Sequence, residues 1–252
     1  MAGRLQGSVA LVTGASSGIG EATALALAAE GATVAIAARR RDRLEALAER
    51  IGGPGRALVL ETDVTDEQQV RAMVQKTVTD LGGLDVLINN AGVMLLGPIL
   101  DAPTEEWRRM VELNLLGLLY CTHAALPHLL AAAERGRGVA DVVNVSSVAG
   151  RVARLGSGVY NATKWGVGAF SESLRQEVTK RHVRVTLIEP GAVATELVGH
   201  NRPEIREVMA GNFAGVTPLQ AADIAAAVIY AVTQPPHAAV NEVLVRPTEQ
   251  ER

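Results

Sequence analysis

Cysteine is nearly missing from this chain. Cys121 is the only one in 252 residues, which rules out an intrachain disulfide and removes any argument for an oxidising compartment. Surplus positive charge is missing too. With 24 Lys plus Arg against 27 Asp plus Glu, the formal charge of −3 offers nothing that would draw the surface to nucleic acid or to an anionic membrane, so any phosphate must be bound by local features. The five histidines, His123, His128, His182, His200 and His237, do not cluster at metal-ligand spacing, and no metal is expected; His200 alone is a modest candidate for substrate contact. Met1 to Gly7 holds one arginine and no apolar run, so no signal peptide is expected and the cytoplasm is the default location. Leu113 to Ala133 lacks Asp, Glu, Lys and Arg, yet Asn114, His123, Pro127 and His128 interrupt it, which suits a buried helix better than a membrane span.

Hydrophobic residues make up 48% of the chain and charged residues 20%, enough to bury a substantial core. Their arrangement is repetitive. Short apolar runs (Ser8–Val12, Thr33–Ala37, Ala57–Glu61, Leu84–Asn89, Val139–Val145, Val183–Ile188 and Glu242–Val245) alternate with helical stretches such as Glu21–Glu30, Arg43–Arg50, Glu67–Leu81, Glu105–Ala133 and Ser157–Arg181. Strands that are apolar throughout are those covered on both faces of a parallel sheet. Seven of them with helical crossovers predict an α/β fold, a Rossmann-like doubly wound three-layer sandwich with a seven-stranded parallel sheet, in one domain over residues 1–252. Helices should stop at Gly31, at Gly52-Gly53-Pro54-Gly55 and at Gly82-Gly83. The least regular region, about 192–216, reads as a lid.

Thr13-Gly14-Ala15-Ser16-Ser17-Gly18-Ile19-Gly20 falls between the first strand and the first helix. Glycines there let the backbone turn tightly and bring a pyrophosphate to the free amides and positive dipole of a helix start. The end of the second strand should then sort NAD from NADP. Ala38 stands where a carboxylate would receive ribose hydroxyls, and Arg39, Arg40 and Arg41 follow. An arginine can fork onto a 2′-phosphate, so NADP is expected, with Arg39 the first candidate and Arg40 beside it, while Arg41 and Arg43 suit a solvated helix start. Asp63, followed by Val64, sits at the carboxyl edge of the third strand. It reads equally as an acceptor for the adenine amino group and as a helix N-cap.

Tyr160 and Lys164 are four residues apart on one helical face, where an ammonium should favour the phenolate and bring a phenol that titrates near 10 closer to working pH. Ser147, at the end of the fifth strand, could hold a substrate oxygen; its neighbour Ser146 should face the other way and is the weaker candidate. Asn114 is an amide among apolar neighbours and is a candidate anchor for a water leading to Lys164.

From Val9 to Pro247 the sequence resembles the short-chain dehydrogenase/reductase superfamily, on Thr13-Gly-x-x-x-Gly-x-Gly20, Asn89-Asn-Ala-Gly92, Asn114, Ser147, Tyr160-x-x-x-Lys164 and Pro190-Gly-x-x-x-Thr195. The resemblance implies a nicotinamide oxidoreductase acting on a small-molecule carbonyl or alcohol, with Asn114, Ser147, Tyr160 and Lys164 catalytic. It implies NADP(H) held along Gly14, Ser16, Ser17, Gly18, Ile19 and Gly20, by Arg39 and Arg40, and beside Asp63 and Val64. It further implies that Asn90, Ala91 and Gly92 flank the adenosine ribose side and that Lys164 grips the nicotinamide ribose. Pro190, Gly191, Val193 and Thr195 would enclose the nicotinamide. A homotetramer, or less often a dimer, would be built partly from the helices carrying Asn114 and Tyr160. Within the family, scaffold segments such as Val93-Met-Leu-Leu-Gly-Pro98 and Val245-Arg-Pro-Thr248 are similar to a reductase acting on an aldehyde of a secondary metabolite, whereas Arg202 to Gly215 matches less clearly. Two rival readings stand beside this one. An epimerase or dehydratase uses the same Tyr and Lys but usually carries a larger C-terminal domain than the 57 residues after Thr195, and a cofactor-sensing regulator typically loses the Tyr or the Lys, both present here.

Overall fold

The computed structural model describes residues 3–53, 55–212 and 215–251; Pro54 of the expected second helix stop, and residues 213 and 214 of the expected lid, lie outside them. Seven parallel strands, β1 (Val9–Thr13), β2 (Thr33–Ala38), β3 (Ala57–Glu61), β4 (Val86–Asn89), β5 (Ala140–Val145), β6 (Val183–Pro190) and β7 (Glu242–Val245), form one sheet in the order β3-β2-β1-β4-β5-β6-β7. This is the doubly wound architecture expected. The strand order reverses between β1 and β4, so the crevice in which such sheets bind ligands opens at the carboxyl ends of those two strands, beyond Thr13 and Asn89.

Alternation along each strand assigns the helices to two layers. Ala10, Val12, Val34 and Ile36 face α1 (Gly18–Ala29), α2 (Arg41–Ile51) and α8 (Ala221–Val232), whereas Leu11, Ala35, Leu87 and Val142 face α3 (Glu67–Leu81), α5 (Gly117–Ala133) and α6 (Gly158–Val178). The remaining helices are α4 (Thr104–Val111) and α7 (Pro203–Asn212). Uniformly buried strands are central ones: β1, β5 and β6 are buried along their whole length, but the edge strands β3 and β7 are only partly covered.

Local chemistry sets the boundaries. Asp66 caps α3 by accepting the N–H groups of Gln68 and Gln69, and Gln220 and Asp223 form a reciprocal capping box at the start of α8. Gly82 closes α3 in the left-handed region (φ 84°), a conformation that costs a side-chain-bearing residue dearly. The long apolar rod Thr104–Ala133 is, by length and composition alone, able to cross a membrane; here Cys121, Ala125 and Leu129 pack against the sheet instead. Its middle turn, Glu112–Leu116, is a π-helix, which the sequence reading did not anticipate.

At the opposite edge from the crevice, β6 begins with a buried charge. Arg184 donates from Nε and Nη2 to the two carboxylate oxygens of Asp141 (2.7 and 3.1 Å), and to the carbonyls of Val232, the last residue of α8, and of Gln234 and Ala238 beyond it (3.0, 3.0 and 2.9 Å). Arg137 also donates to Asp141 and to Val232. Without Arg184, Asp141 would keep Arg137 alone in a site of low dielectric, and the carbonyls of Gln234 and Ala238 would lose the guanidinium that binds them. Arg184→Ala should therefore destabilise the protein by about 3–5 kcal/mol in urea denaturation, and Arg184→Lys should recover little because an ammonium cannot span both sites. A loss below about 1 kcal/mol for the alanine variant would show that the clamp is dispensable.

Candidate active site

The glycine turn closes against the end of β4 with no room to spare. A Cβ on Gly14 would stand 2.8 Å from Ala91 Cα, and one on Gly20 would stand 2.4 Å from Gly14 O and 2.5 Å from Asn90 Nδ2. Gly14 and Gly18 also adopt positive φ (65° and 57°). Asn90 fixes the turn by donating its side-chain N–H groups to the carbonyls of Thr13 and Gly14 (3.0 and 3.2 Å), while Thr13 Oγ1 accepts the main-chain N–H groups of Asn90 and Ala91 (3.1 and 3.2 Å). Asn90 and Ala91 thus brace the phosphate turn from below. The turn leads into α1, whose N-cap Ser17 makes no side-chain cap, leaving the first amides of the helix for an anion. Ile19 and Ser16 lie on the same turn, Ser16 buried and Ile19 half-buried. The uncapped first amides of α1 fit a dinucleotide pyrophosphate, and a larger residue at Gly14 or Gly20 would push the turn off Asn90 and Ala91.

On the adenine side the guanidinium aimed at the turn belongs to Arg40, not to Arg39, the first candidate from sequence. Arg40 donates from Nε and Nη2 to Ser16 Oγ (3.1 and 2.9 Å) and from Nη2 to Ser17 Oγ (2.8 Å). Arg39, the more exposed of the two, approaches Asp63 at 3.9 Å. The helix-cap reading of Asp63 is corrected: Asp66 takes that position, and Asp63 Oδ1 instead accepts from the backbone and hydroxyl of Thr65 (3.0 and 2.8 Å). Val64 is buried, its side chain against Gly117 of α5.

Tyr160 and Lys164 share one face of α6 as expected, both nearly fully buried, with Lys164 Nζ 5.8 Å from the centre of the Tyr160 ring. The expected acidification of the phenol does not follow. Burial pushes Tyr160 up to about 12, opposed only by its hydrogen bond with Ser147, and burial pulls the Lys164 ammonium down to about 8. The ammonium donates to the carbonyl of Val145 (2.9 Å), and burial is what governs both groups. Ser147 is half-buried; its hydroxyl donates to the carbonyl of Pro190 (3.5 Å) and caps the short turn Val148–Gly150 by accepting from Ala149 (3.1 Å). Ser146 points away, into α6, and donates to the Lys164 carbonyl (3.2 Å).

Asn114 sits in the π-turn and is spent on protein. Its Oδ1 accepts from Val93 N and its Nδ2 donates to Val93 O (both 2.8 Å), with Thr163 Oγ1 3.3 Å away, so both ends of the amide hold the strand-like segment after Gly92. A Cβ on Gly92 would come within 3.3 Å of the same amide oxygen. The Asn114 side chain thus clamps two chain segments together.

Pro190, the last residue of β6, and Gly191 lead into the lid. Val193 pairs with Leu219 as an isolated bridge, and Thr195 places its methyl over Gly18, 3.1 Å from where a Cβ would be. Two residues the sequence reading missed hold this region. Gln250 Oε1 accepts the N–H of Ala192 (2.8 Å), and buried Asn201 accepts the N–H of Leu96 (2.8 Å). Neither bears a spacing signal, since each acts across more than fifty residues of chain. His200 is exposed at the end of the short turn Glu196–His200, and among the described residues no group of His, Cys, Asp or Glu is arranged to hold a metal.

Residues 8–206 match the model of the short chain dehydrogenase family. This chain is a member of that family. Glycine betaine reductase ATRR of Emericella nidulans is 42% identical over 249 residues, matching 98% of this chain but only 19% of that protein, and an uncharacterized oxidoreductase of Staphylococcus aureus is 39% identical over 243 residues, covering 96% and 98% of the two chains. Among solved structures, a serine dehydrogenase in its closed form complexed with NADP+ superposes with a TM-score of 0.88 at 31% identity over 97% of this chain and 96% of that one. An alcohol dehydrogenase from the archaeon Thermococcus sibiricus complexed with 5-hydroxy-NADP gives a TM-score of 0.85 at 29% identity, covering 97% and 98%.

In this short-chain dehydrogenase, the buried lysine leaves a signature in stability. Between about pH 8 and 10.5 the unfolded chain keeps a proton that native Lys164 has released, so its contribution to native stability rises with pH through that window and its burial penalty is complete below about 8. Lys164→Met should consequently be more stable than the parent near neutral pH, by up to about 3 kcal/mol, with the gap closing toward the alkaline end. Urea denaturation at several pH values reads this directly. A gap that does not change with pH would contradict the depressed lysine.

Proposed function

We propose that this short-chain dehydrogenase is an NADP-dependent oxidoreductase that interconverts a carbonyl and an alcohol on a small molecule, with Tyr160 as the proton-transfer group. The observation that carries the reading is the placement of Ser147 just past the carboxyl end of β5, with Tyr160 and Lys164 buried one turn apart on one face of α6. NADP(H) when bound would exchange a hydride with the substrate carbon. A phenol held near 12 is fully protonated at neutral pH, which suits a donor to the oxygen of a carbonyl undergoing reduction. Ser147 can donate to the same oxygen, and Lys164 would grip the nicotinamide ribose. Gly14 to Gly20 would hold the pyrophosphate, Arg40 with Ser16 the 2′-phosphate, and Pro190, Gly191, Val193 and Thr195 the nicotinamide end. Support for NADP over NAD comes from Ala38, where no carboxylate is present, from the Arg40 fork, and from NADP-type ligands in two structural relatives.

For the substrate we favour an aldehyde or ketone with an apolar portion, because Ile99, Leu100 and Leu155 expose apolar side chains on the loops next to the start of α6. Clavulanate-9-aldehyde is one compound of this kind, suggested by the resemblance of scaffold segments. The second reading, a cofactor-sensing regulator, is disfavoured because Tyr160, Lys164 and Ser147 are all in place. We also propose a cytoplasmic homo-oligomer, a tetramer or a dimer, without nucleic acid or membrane as partner. Trp165 and Val111 leave apolar surface on the helices that carry Tyr160 and approach Asn114, and such surface suits a second copy.

A panel of aldehydes, ketones and alcohols followed by NADPH absorbance tests the reaction class. With any substrate found, Tyr160→Phe should lower kcat by about a hundred- to ten-thousandfold while the Kd for NADPH stays within about twofold. Undiminished turnover in that variant would remove Tyr160 from the chemistry.

A further inference from the structure

The base of the lid is tied to the adenine side of the crevice by one carboxylate. Glu196 follows Thr195 directly, and its two oxygens are divided between two guanidiniums: Oε2 accepts from Arg40 Nη1 (2.8 Å) and Oε1 from Arg43 Nη1 (2.6 Å). Arg40 has no freedom to follow if Glu196 moves, since its Nε and Nη2 are held by Ser16 and Ser17. Arg40 therefore presents one outward N–H edge, and Glu196 takes it. Two converging guanidiniums form a seat for an anion, and planar fork geometry suits a carboxylate or a phosphate oxygen pair alike.

This deepens, and rests on, the NADP reading: the outward edge of Arg40 is also the edge a 2′-phosphate would need. A phosphate and a carboxylate cannot share it, because like charges at that distance repel. We propose that Glu196 is a cofactor-discriminating latch, occupying the anion seat between Arg40 and Arg43 until a 2′-phosphate displaces it and frees the base of the lid. An adenosine without that phosphate leaves the latch on its arginines. The hydrogen bonds from Arg40 and then Arg43 hold the Glu196 carboxyl down at about 2, so the latch stays charged across the neutral range. Because all three side chains are substantially exposed, each contact is modest and the competition is weak enough for a ligand to win.

The test is calorimetric binding of NADPH, NADH, 2′,5′-ADP and 5′-AMP to the intact protein and to Glu196→Gln and Glu196→Ala, whose exposed position keeps folding out of question. Both variants should bind NADPH and 2′,5′-ADP several-fold more tightly than the parent, with NADH and 5′-AMP changed by less than about twofold. Hydrogen exchange across residues 195–212 should rise in the parent on adding 2′,5′-ADP but not 5′-AMP, and should already be raised in the variants. Weaker NADPH binding in the variants, equal shifts for all four ligands, or no shift would each overturn the latch while leaving NADP binding intact. Failure of the parent to bind either 2′-phosphorylated ligand would instead overturn the NADP reading, and the latch with it.

Discussion

Two backbone segments meet where the sheet changes direction, and they meet closer than any side chain allows. The turn after β1 and the segment after β4 are separated by less than a Cβ at Gly14 and Gly20, and Asn90 reaches across to hold the carbonyls that the turn would otherwise leave bare. Every other part of the crevice is placed relative to that contact. The Ser16 and Ser17 hydroxyls that orient Arg40 sit on this turn, Thr195 rests its methyl on Gly18, and the clamp of Asn114 begins one residue beyond Gly92. Shape, rather than any one strong interaction, is what makes the arrangement specific.

The chemical centre obeys a different constraint, the cost of burial. Tyr160 and Lys164 lie where water is excluded, so each is driven toward its neutral form, the phenol upward and the ammonium downward. Their helical spacing brings them together but does not aim one at the other, and the Val145 carbonyl intercepts the lysine. A neighbouring cation acidifies a phenol only if its charge reaches the oxygen. Here the Ser147 hydroxyl is what opposes desolvation of the phenol.

Fold and chemistry were legible in the chain to different depths. Apolar runs bounded by glycine gave strands and helices close to those observed, because sheet burial on both faces imposes a pattern on every central residue; β3 and β7, partly exposed, show how that pattern weakens at the edges. Tyr160, Lys164 and Ser147 could be named from spacing. What could not be read was which atom each side chain would spend on its neighbours. Arg39 and Arg40 are identical in type and adjacent, and only tertiary placement gives Ser16 to the second. Asp63 and Asp66 compete for one cap on equal propensity, and the chain geometry decides for Asp66. Gln250 and Asn201 act through contacts distant in sequence, for which a single chain carries no periodic mark.

The wide turn at Glu112–Leu116 has a consequence for how the rod from Thr104 to Ala133 presents itself. Buried positions Met110, Asn114, Leu118 and Thr122 recur every four residues, a step that in a regular helix of 3.6 residues per turn precesses by roughly 40° each time. One turn closed from Gly117 N–H to the Glu112 carbonyl takes up an extra residue and winds the stripe back. A helical wheel drawn through the whole rod would therefore smear a coherent inward face into apparent all-round apolarity, the same blur that lets a core helix pass for a membrane anchor.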